Sequence, residues 1–204
     1  ETLKEQTFFL SMKRLFDIVC SFFGLVFLSW LFVFVALWVG LSSRGGVFYR
    51  QRRVGRCNRD FTIYKFRSMR VNSDRQGLLT IGGRDGRITK AGVFIRKYKL
   101  DELPQLFNVL RGDMSFVGPR PEVRKYVELY TEEQKKVLTV RPGITSLSSI
   151  KYRNENEILS RSDNPEQYYI DVIMQDKLAI ELDYLEQRSL LTDIKVIFQT
   201  IFGK

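Results

Sequence analysis

No charged residue occurs from Ile18 to Ser43, and the run IVCSFFGLVFLSWLFVFVALWVGLSS is dominated by Phe, Leu, Val and Trp. A helix crosses a hydrocarbon core in about 20 residues at a rise of about 1.5 Å each, so this run is long enough to do so. It is too long for the apolar region of a cleaved signal peptide and ends without a small-residue cleavage pattern, so it is expected to stay in the membrane. Lys13 and Arg14 precede it, and Arg44, Arg50, Arg52, Arg53 and Arg56 follow it. Basic flanks mark the cytoplasmic side, and flanks at both ends are compatible with a segment that enters and returns on one side. Taken alone, the residues favour a single spanning helix with the richer C-terminal cluster cytoplasmic, because re-entrant segments are the special case.

The remainder is sized for one domain: of 204 residues, 1–44 form the tail and membrane segment and 45–204 the domain. A net charge of +10 points to an anionic partner, whether nucleic acid, an anionic membrane surface or a phosphate-bearing substrate. With no histidine in the chain, histidine bases, phosphohistidine and histidine metal ligation are excluded, and carboxylates must do any acid, base or nucleophile work. Cys20 and Cys57 form neither a zinc spacing nor a disulfide framework and fit a reducing compartment.

The pattern predicts a mixed α/β but mostly helical fold. Residues 47 to 69 read as two strands around a turn at Gly55 to Asn58, and residues 71 to 90 as a loop. In LDELPQLFNVLRGDM, Leu103, Leu106, Phe107 and Leu110 fall at helical spacing, Pro104 suits a first turn and Gly112 a stop. Asp101 and Glu102 are thereby placed at a helix N-terminus. Further helices are predicted near Pro121, near Thr131 with a Thr131–Gln134 capping box, and from Asn164-Pro165 to about Arg188. The tail places Leu190, Ile194, Ile197 and Ile201 on one face of an amphipathic helix that packs on the domain or lies on the bilayer.

Carboxylates at a helix N-terminus either serve as ordinary first-turn residues supporting the dipole or belong to a phosphate site. Phosphate partners are at hand in Lys65 and Arg67 of YKFRSM, Arg96, Arg120 of GPRP and Arg141 of RPG. Guanidinium groups bind phosphate in bidentate fashion, although the same residues also suit a solvated basic face or contacts to anionic lipid.

The run KLDELPQLFNVLRGDMSFVGPRP, with IYKFRSM before it and RPGIT after it, closely resembles the bacterial sugar transferase family of small monotopic phosphoglycosyl transferases, from about Met12 to Phe202. The resemblance implies a UDP-sugar donor, an undecaprenyl phosphate acceptor, a Mg²⁺ cofactor, and a place on the cytoplasmic face of the bacterial inner membrane at the first membrane step of surface glycan assembly. It implies Asp101 as nucleophile, with Glu102 supporting the metal and the reacting phosphate, so both are expected near Mg²⁺. It makes Arg96, Arg120 and Arg141 candidates for the donor diphosphate, with Lys65 and Arg67 as weaker ones. The expected reaction is a two-step displacement through an aspartyl-phosphosugar, releasing UMP. The family's membrane segment is a re-entrant helix-break-helix, usually broken at Ser-Pro. Here Ser29-Trp30 stands in that place without proline, and Ser29 can bend a helix by bonding a carbonyl one turn back; with basic residues on both flanks, the resemblance makes a re-entrant segment over residues 1–44 the expectation. After RPGIT the chain reads SLSSIKY where many relatives continue Gly-Leu-Ala, a departure that bears on donor-sugar preference. A rival reading, a non-enzymatic adaptor holding nucleic acid or anionic lipid, lacks the aromatic residues interleaved with surface arginine that a stacking platform needs. No nucleic-acid partner is expected.

Overall fold

The computed structural model describes residues 2–42, 45–73, 77, 79, 81, 82 and 85–203, with side chains from residue 7 onward. Ser43, Arg44 and parts of the loop predicted over 71 to 90 lie outside the described residues. The fold is mostly helical with a small β component. Two long N-terminal helices, α1 (Thr2–Phe27) and α2 (Ser29–Ser42), lead into the hairpin of β1 (Phe48–Val54) and β2 (Asp60–Phe66). The hairpin is antiparallel, pairs Phe48 with Phe66 and Val54 with Asp60, and turns through Arg56–Asn58, where it was predicted.

No single helix among the described residues is long and apolar enough to cross a membrane, but Thr7–Phe27 and Ser29–Ser42 together pass that test as a pair bent by 63°. The pair is broken next to Ser29-Trp30, as the helix-break-helix of the resemblance leads one to expect, and is not the unbroken helix that the residues taken alone favour. Proline is absent from the break, and no side-chain hydrogen bond of Ser29 stands in for it; the serine that bonds back is Ser21, to the Asp17 carbonyl at 2.6 Å. Docking of each helix on a different part of the domain accounts for the bend. Along α1, Asp17 accepts from Ser115 Oγ and Phe116 N, each at 3.1 Å. Arg14 donates to the Val109 and Leu110 carbonyls at 2.6 and 2.8 Å, and Lys13 pairs with Asp193. Along α2, Val35 and Val39 are buried against Phe66 and Ile95. The helices' opposite faces carry exposed Leu15, Phe22, Phe27, Trp30, Phe34 and Leu41.

Beyond the hairpin follow α3 (Lys90–Lys97), α4 (Gln105–Arg111) and β3 (Ser115–Val117), then α5 (Arg124–Val127) and β4 (Gly143–Thr145). Strands β3 and β4 pair in parallel. Short helices α6 (Leu147–Lys151), α7 (Glu155–Leu159) and α8 (Pro165–Tyr168) precede α9 (Met174–Gln187) and α10 (Leu190–Phe202). The helix predicted from Asn164-Pro165 is present, with the Asn164 side chain accepting from Gln167 N and a π-turn over Tyr169–Ile173 joining α8 to α9. The predicted capping box also forms: Thr131 N donates to Gln134 Oε1 at 2.9 Å and Gln134 N to Thr131 Oγ1 at 3.2 Å, but it opens a 3₁₀ helix over Gln134–Thr139. One core packs Val54, Tyr126, Leu159, Tyr169 and Ile173 between the hairpin end and α9.

The tail helix α10 departs from its predicted face. Asp193 and Val196 point inward, while Leu191, Ile194, Phe198, Ile201 and Phe202 form the exposed apolar side. The inward aspartate is explained by its partners, since Tyr184 Oη donates to it at 2.6 Å and Lys13 pairs with it.

Candidate active site

Asp101 and Glu102 lie on a 3₁₀ turn, Leu100–Glu102, immediately before α4. The turn is entered through Lys99, whose φ of 56° and ψ of 20° put a non-glycine residue in the left-handed region, a conformation that costs energy and clusters at functional sites. The predicted first helical turn is thus 3₁₀, because the regular helix starts only after Pro104. Upstream, Thr89 caps α3 by accepting from Gly92 N at 2.9 Å. A Cβ at Gly92 would come within 1.9 Å of the Ser68 carbonyl, so glycine there lets α3, which carries Arg96, close onto the end of the hairpin.

Lys65 reaches the site from β2. Asn108, buried on α4, fixes that strand by donating to the Thr62 carbonyl at 2.7 Å and accepting from Tyr64 N at 3.1 Å. Arg120 arrives from the other side, just after β3. There Gly118 and Gly143 cross so closely that a Cβ on Gly143 would fall 2.3 Å from Gly118 N, which is why the two glycines of GPRP and RPG face each other. Arg120 Nη1 donates to the Ile144 carbonyl at 2.7 Å and to Glu102 Oε2 at 3.1 Å, and Nη2 donates to Glu102 Oε1. Lys65 Nζ donates to the same Oε1 at 2.9 Å.

The two adjacent carboxylates are thereby differentiated. Burial alone would raise Glu102, but the charges and hydrogen bonds of Arg120 and Lys65 outweigh it and hold its carboxyl well below the usual range. Asp101 is pushed up, chiefly by burial and also by the neighbouring Glu102, against the attraction of Lys65, Arg96 and Lys99. It is 7% exposed, and its Oδ1 is buried with no hydrogen-bond partner. Four residues on, Gln105 is fully buried with neither amide atom partnered. A buried polar atom left unpaired costs about 1–3 kcal/mol, so three in consecutive turns mark a place built for something other than stability.

The structure therefore gathers Asp101, Glu102, Lys65, Arg120 and, through its charge on Asp101, Arg96. It does not bring Arg67 or Arg141 to them. Arg67 lies along the hairpin, donating to the Phe48 carbonyl at 3.4 Å. Arg141 Nε donates to the Gly112 carbonyl at 2.8 Å, at the far end of α4, whose seven residues span about 10 Å. Gln105 was not singled out from the sequence, although its position four residues after Asp101 put it on the same helical face.

Among the described residues no cluster of three or more Cys, Asp or Glu side chains is arranged to hold a metal ion. Mg²⁺ keeps several waters and needs only one or two carboxylates beside a substrate's phosphates, so the unpartnered Asp101 Oδ1 suits it. Both Glu102 oxygens already accept from Lys65 and Arg120, which leaves Asp101 as the better fit.

The chain is 37% identical over 195 residues to a UDP-N-acetylgalactosamine-undecaprenyl-phosphate N-acetylgalactosaminephosphotransferase of Aeromonas hydrophila, covering 93% of this chain and 43% of that protein. It is 36% identical over 204 residues to the exopolysaccharide production protein ExoY of Sinorhizobium fredii, covering 93% and 83%. To the UDP-glucose:undecaprenyl-phosphate glucose-1-phosphate transferase of Escherichia coli it is 36% identical over 199 residues, covering 94% and 39%. The chain thus spans less than half the length of the first and third of these relatives. The sequence model of the bacterial sugar transferase family matches residues 8–203, nearly everything that carries the fold and the carboxylate site, and the chain belongs to that family.

Proposed function

We propose that the protein is a phosphoglycosyl transferase that moves a sugar-1-phosphate from a UDP-sugar to undecaprenyl phosphate, with Asp101 as nucleophile. The observation that carries this reading is the split pair: a buried Asp101 with an unpartnered oxygen beside a Glu102 wholly engaged by Lys65 and Arg120. In the first step an Asp101 oxygen bonds to the β-phosphorus of the donor and the bond to the bridging oxygen breaks, so that UMP leaves with that electron pair. In the second, an oxygen of the polyprenol phosphate bonds to the same phosphorus and the Asp101 carboxylate is released. The lipid phosphate is already an anionic nucleophile, which suits a chain without histidine.

Lys65, Arg96 and Arg120 supply positive charge to the donor diphosphate, and Glu102 fixes the direction in which Lys65 and Arg120 point. Asp101 would hold Mg²⁺, which would supply neutralising charge where two anions meet. Residues 1–44 serve as the membrane attachment and 45–204 as the catalytic domain on the cytoplasmic face of the inner membrane, at the first membrane step of glycan assembly. The bent apolar pair and its exposed outer faces support this placement.

The test is a single turnover without lipid. Enzyme with a panel of UDP-sugars and Mg²⁺ is expected to release about one equivalent of UMP and to gain the mass of one phosphosugar, as a two-step displacement requires. Asp101→Asn should abolish both signals, and Glu102→Gln should slow them. UMP release that needs polyprenol phosphate, with no adduct on Asp101, means direct transfer and removes the nucleophile assignment.

A further inference from the structure

Between the first turns of α1, the segment before β4 and the end of α9 lies a cavity of about 160 Å³, away from the carboxylate site. Its lining includes Leu10, Arg14, Arg56, Arg141 and Arg188. Among the described residues none of these four arginines has a carboxylate partner. Arg14 and Arg141 hold carbonyls at the end of α4, and Arg56 Nε donates to the Thr139 carbonyl at 3.3 Å. The acidic group in the lining, Asp17, is already held by Ser115 Oγ and Phe116 N, and Lys13 is paired with Asp193. Four arginines thus line a space of several water volumes, each about 30 Å³, with the Asp17 carboxylate as the acidic group against them. Burial, with Arg14 and Arg56 close by, already depresses the Arg141 guanidinium, a strain that a bound anion relieves.

Two observations decide what kind of anion suits the cavity. It adjoins the C-terminal end of α4, whereas Asp101 precedes the other end, about 10 Å of helix away, so a phosphate held here is not the one that reacts. Its rim is apolar on the α1 side, where Phe9 and Leu10 line it and Leu10 is half exposed. An anion joined to hydrocarbon chains satisfies both.

We propose that this cavity binds the phosphodiester head group of an anionic phospholipid, with the guanidinium groups around the phosphate and the acyl chains leaving past Phe9 and Leu10 at the rim. The proposal rests on the membrane attachment proposed above but not on the Asp101 chemistry. The site would fix the height and tilt of the catalytic domain over the bilayer, and the bilayer's anionic lipid content would set its occupancy.

The test uses the full chain in neutral detergent, with phosphatidylglycerol, phosphatidylcholine or inorganic phosphate added, read by native mass spectrometry and thermal unfolding. Wild type is expected to retain one phosphatidylglycerol and to unfold at higher temperature with it, with no such effect of phosphatidylcholine. Arg56→Gln combined with Arg188→Gln should weaken retention at least tenfold, while Arg56→Lys with Arg188→Lys keeps part of it. Both double variants should match wild type in lipid-free UMP release, which reports on folding and on the reaction separately. Equal retention by wild type and the Gln variant, or equal retention of phosphatidylcholine, overturns the proposal. Stabilisation by inorganic phosphate that phosphatidylglycerol does not displace assigns the cavity to a soluble phosphate and overturns it too.

Discussion

Gln105 is the residue whose burial has no structural return. A side-chain amide in the interior is ordinarily hydrogen-bonded, and this one, fully buried with both polar atoms unpaired, stands one turn from the equally unpaired Asp101 Oδ1. The two do not bond each other here, so the expectation is that Gln105 finds its partner in Asp101 or the donor only once substrate fills the site. Gln105→Leu should then stabilise the fold by about 1–3 kcal/mol by removing the unpaired amide, while lowering kcat at least tenfold with little change in KM. Thermal unfolding and steady-state kinetics on one preparation check this; a stabilised variant with full kcat would return Gln105 to packing alone. Glu181 shows the same scale at work outside the site. It is buried, Ser148 Oγ donates to its Oε1, its Oε2 has no partner, and burial raises its carboxyl above the usual value. Because the folded value lies above the unfolded one, the stability tied to this group is complete below the ordinary glutamate range, about 4.3, and is lost as pH rises through the folded value. The melting temperature of wild type should therefore fall more between pH 4 and pH 8 than that of Glu181→Gln, and parallel curves would exclude the group as the cause. Ser146 and Ser148, in the SLSS run after RPGIT, belong to an interior arrangement: Ser146 caps α6 and Ser148 serves Glu181.

At the scale of elements, the sequence showed what local chemistry decides and hid what docking decides. The hairpin was legible because its alternating aromatic and β-branched residues and its Gly55 to Asn58 turn carry their own geometry. The start of α8 at Asn164-Pro165 and the Thr131–Gln134 box were legible for the same reason. The break between α1 and α2 was placed at Ser29-Trp30 only by the family resemblance, because no proline marks it and its cause lies in residues far along the chain: Val109, Leu110, Ser115 and Asp193 hold α1 while Phe66 and Ile95 hold α2. For the same reason Lys13 and Arg14 read as membrane flanks alone, although Arg14 also donates to the Val109 and Leu110 carbonyls in the last turn of α4. The carboxylate site was legible as a set of residue types, but the separation of Arg141 from Arg120 depends on the direction of α4. Arg14→Met should lower the melting temperature in lipid-free detergent by several degrees, as expected for about 1–3 kcal/mol of lost charge-assisted hydrogen bonding. Arg14→Lys should recover only part, since one ammonium does not span both carbonyls as the planar fork does. An unchanged melting temperature in Arg14→Met would show that this contact does not hold α1 to the domain.

Taken whole, the molecule packs both helices of the apolar pair on the same domain. Asp17 on α1 is tied to the β3 backbone, and Val39, near the other end of the pair, is buried against Phe66 and Ile95. A domain on one side of a bilayer cannot grip both ends of a segment that crosses it, so the packing favours a pair that enters and returns. Basic residues on both flanks agree, since positive charge is retained on the cytoplasmic side. The exposed apolar faces of α1 and α2, with that of α10, give such a molecule a surface to set into one leaflet. With Cys20 and Cys57 changed to Ser, single cysteines at Thr7 and at Arg50 bracket the pair. An impermeant maleimide applied to intact cells is expected to label neither and, once the cells are broken, to label both. Labelling of Thr7→Cys alone in intact cells means that the pair crosses the membrane as one broken span and places the first turns of α1 outside; labelling of Arg50→Cys alone places the domain itself outside. The first result overturns the return of the pair while leaving the carboxylate site on the cytoplasmic side; the second is incompatible with a site served by a UDP-sugar from the cytoplasm.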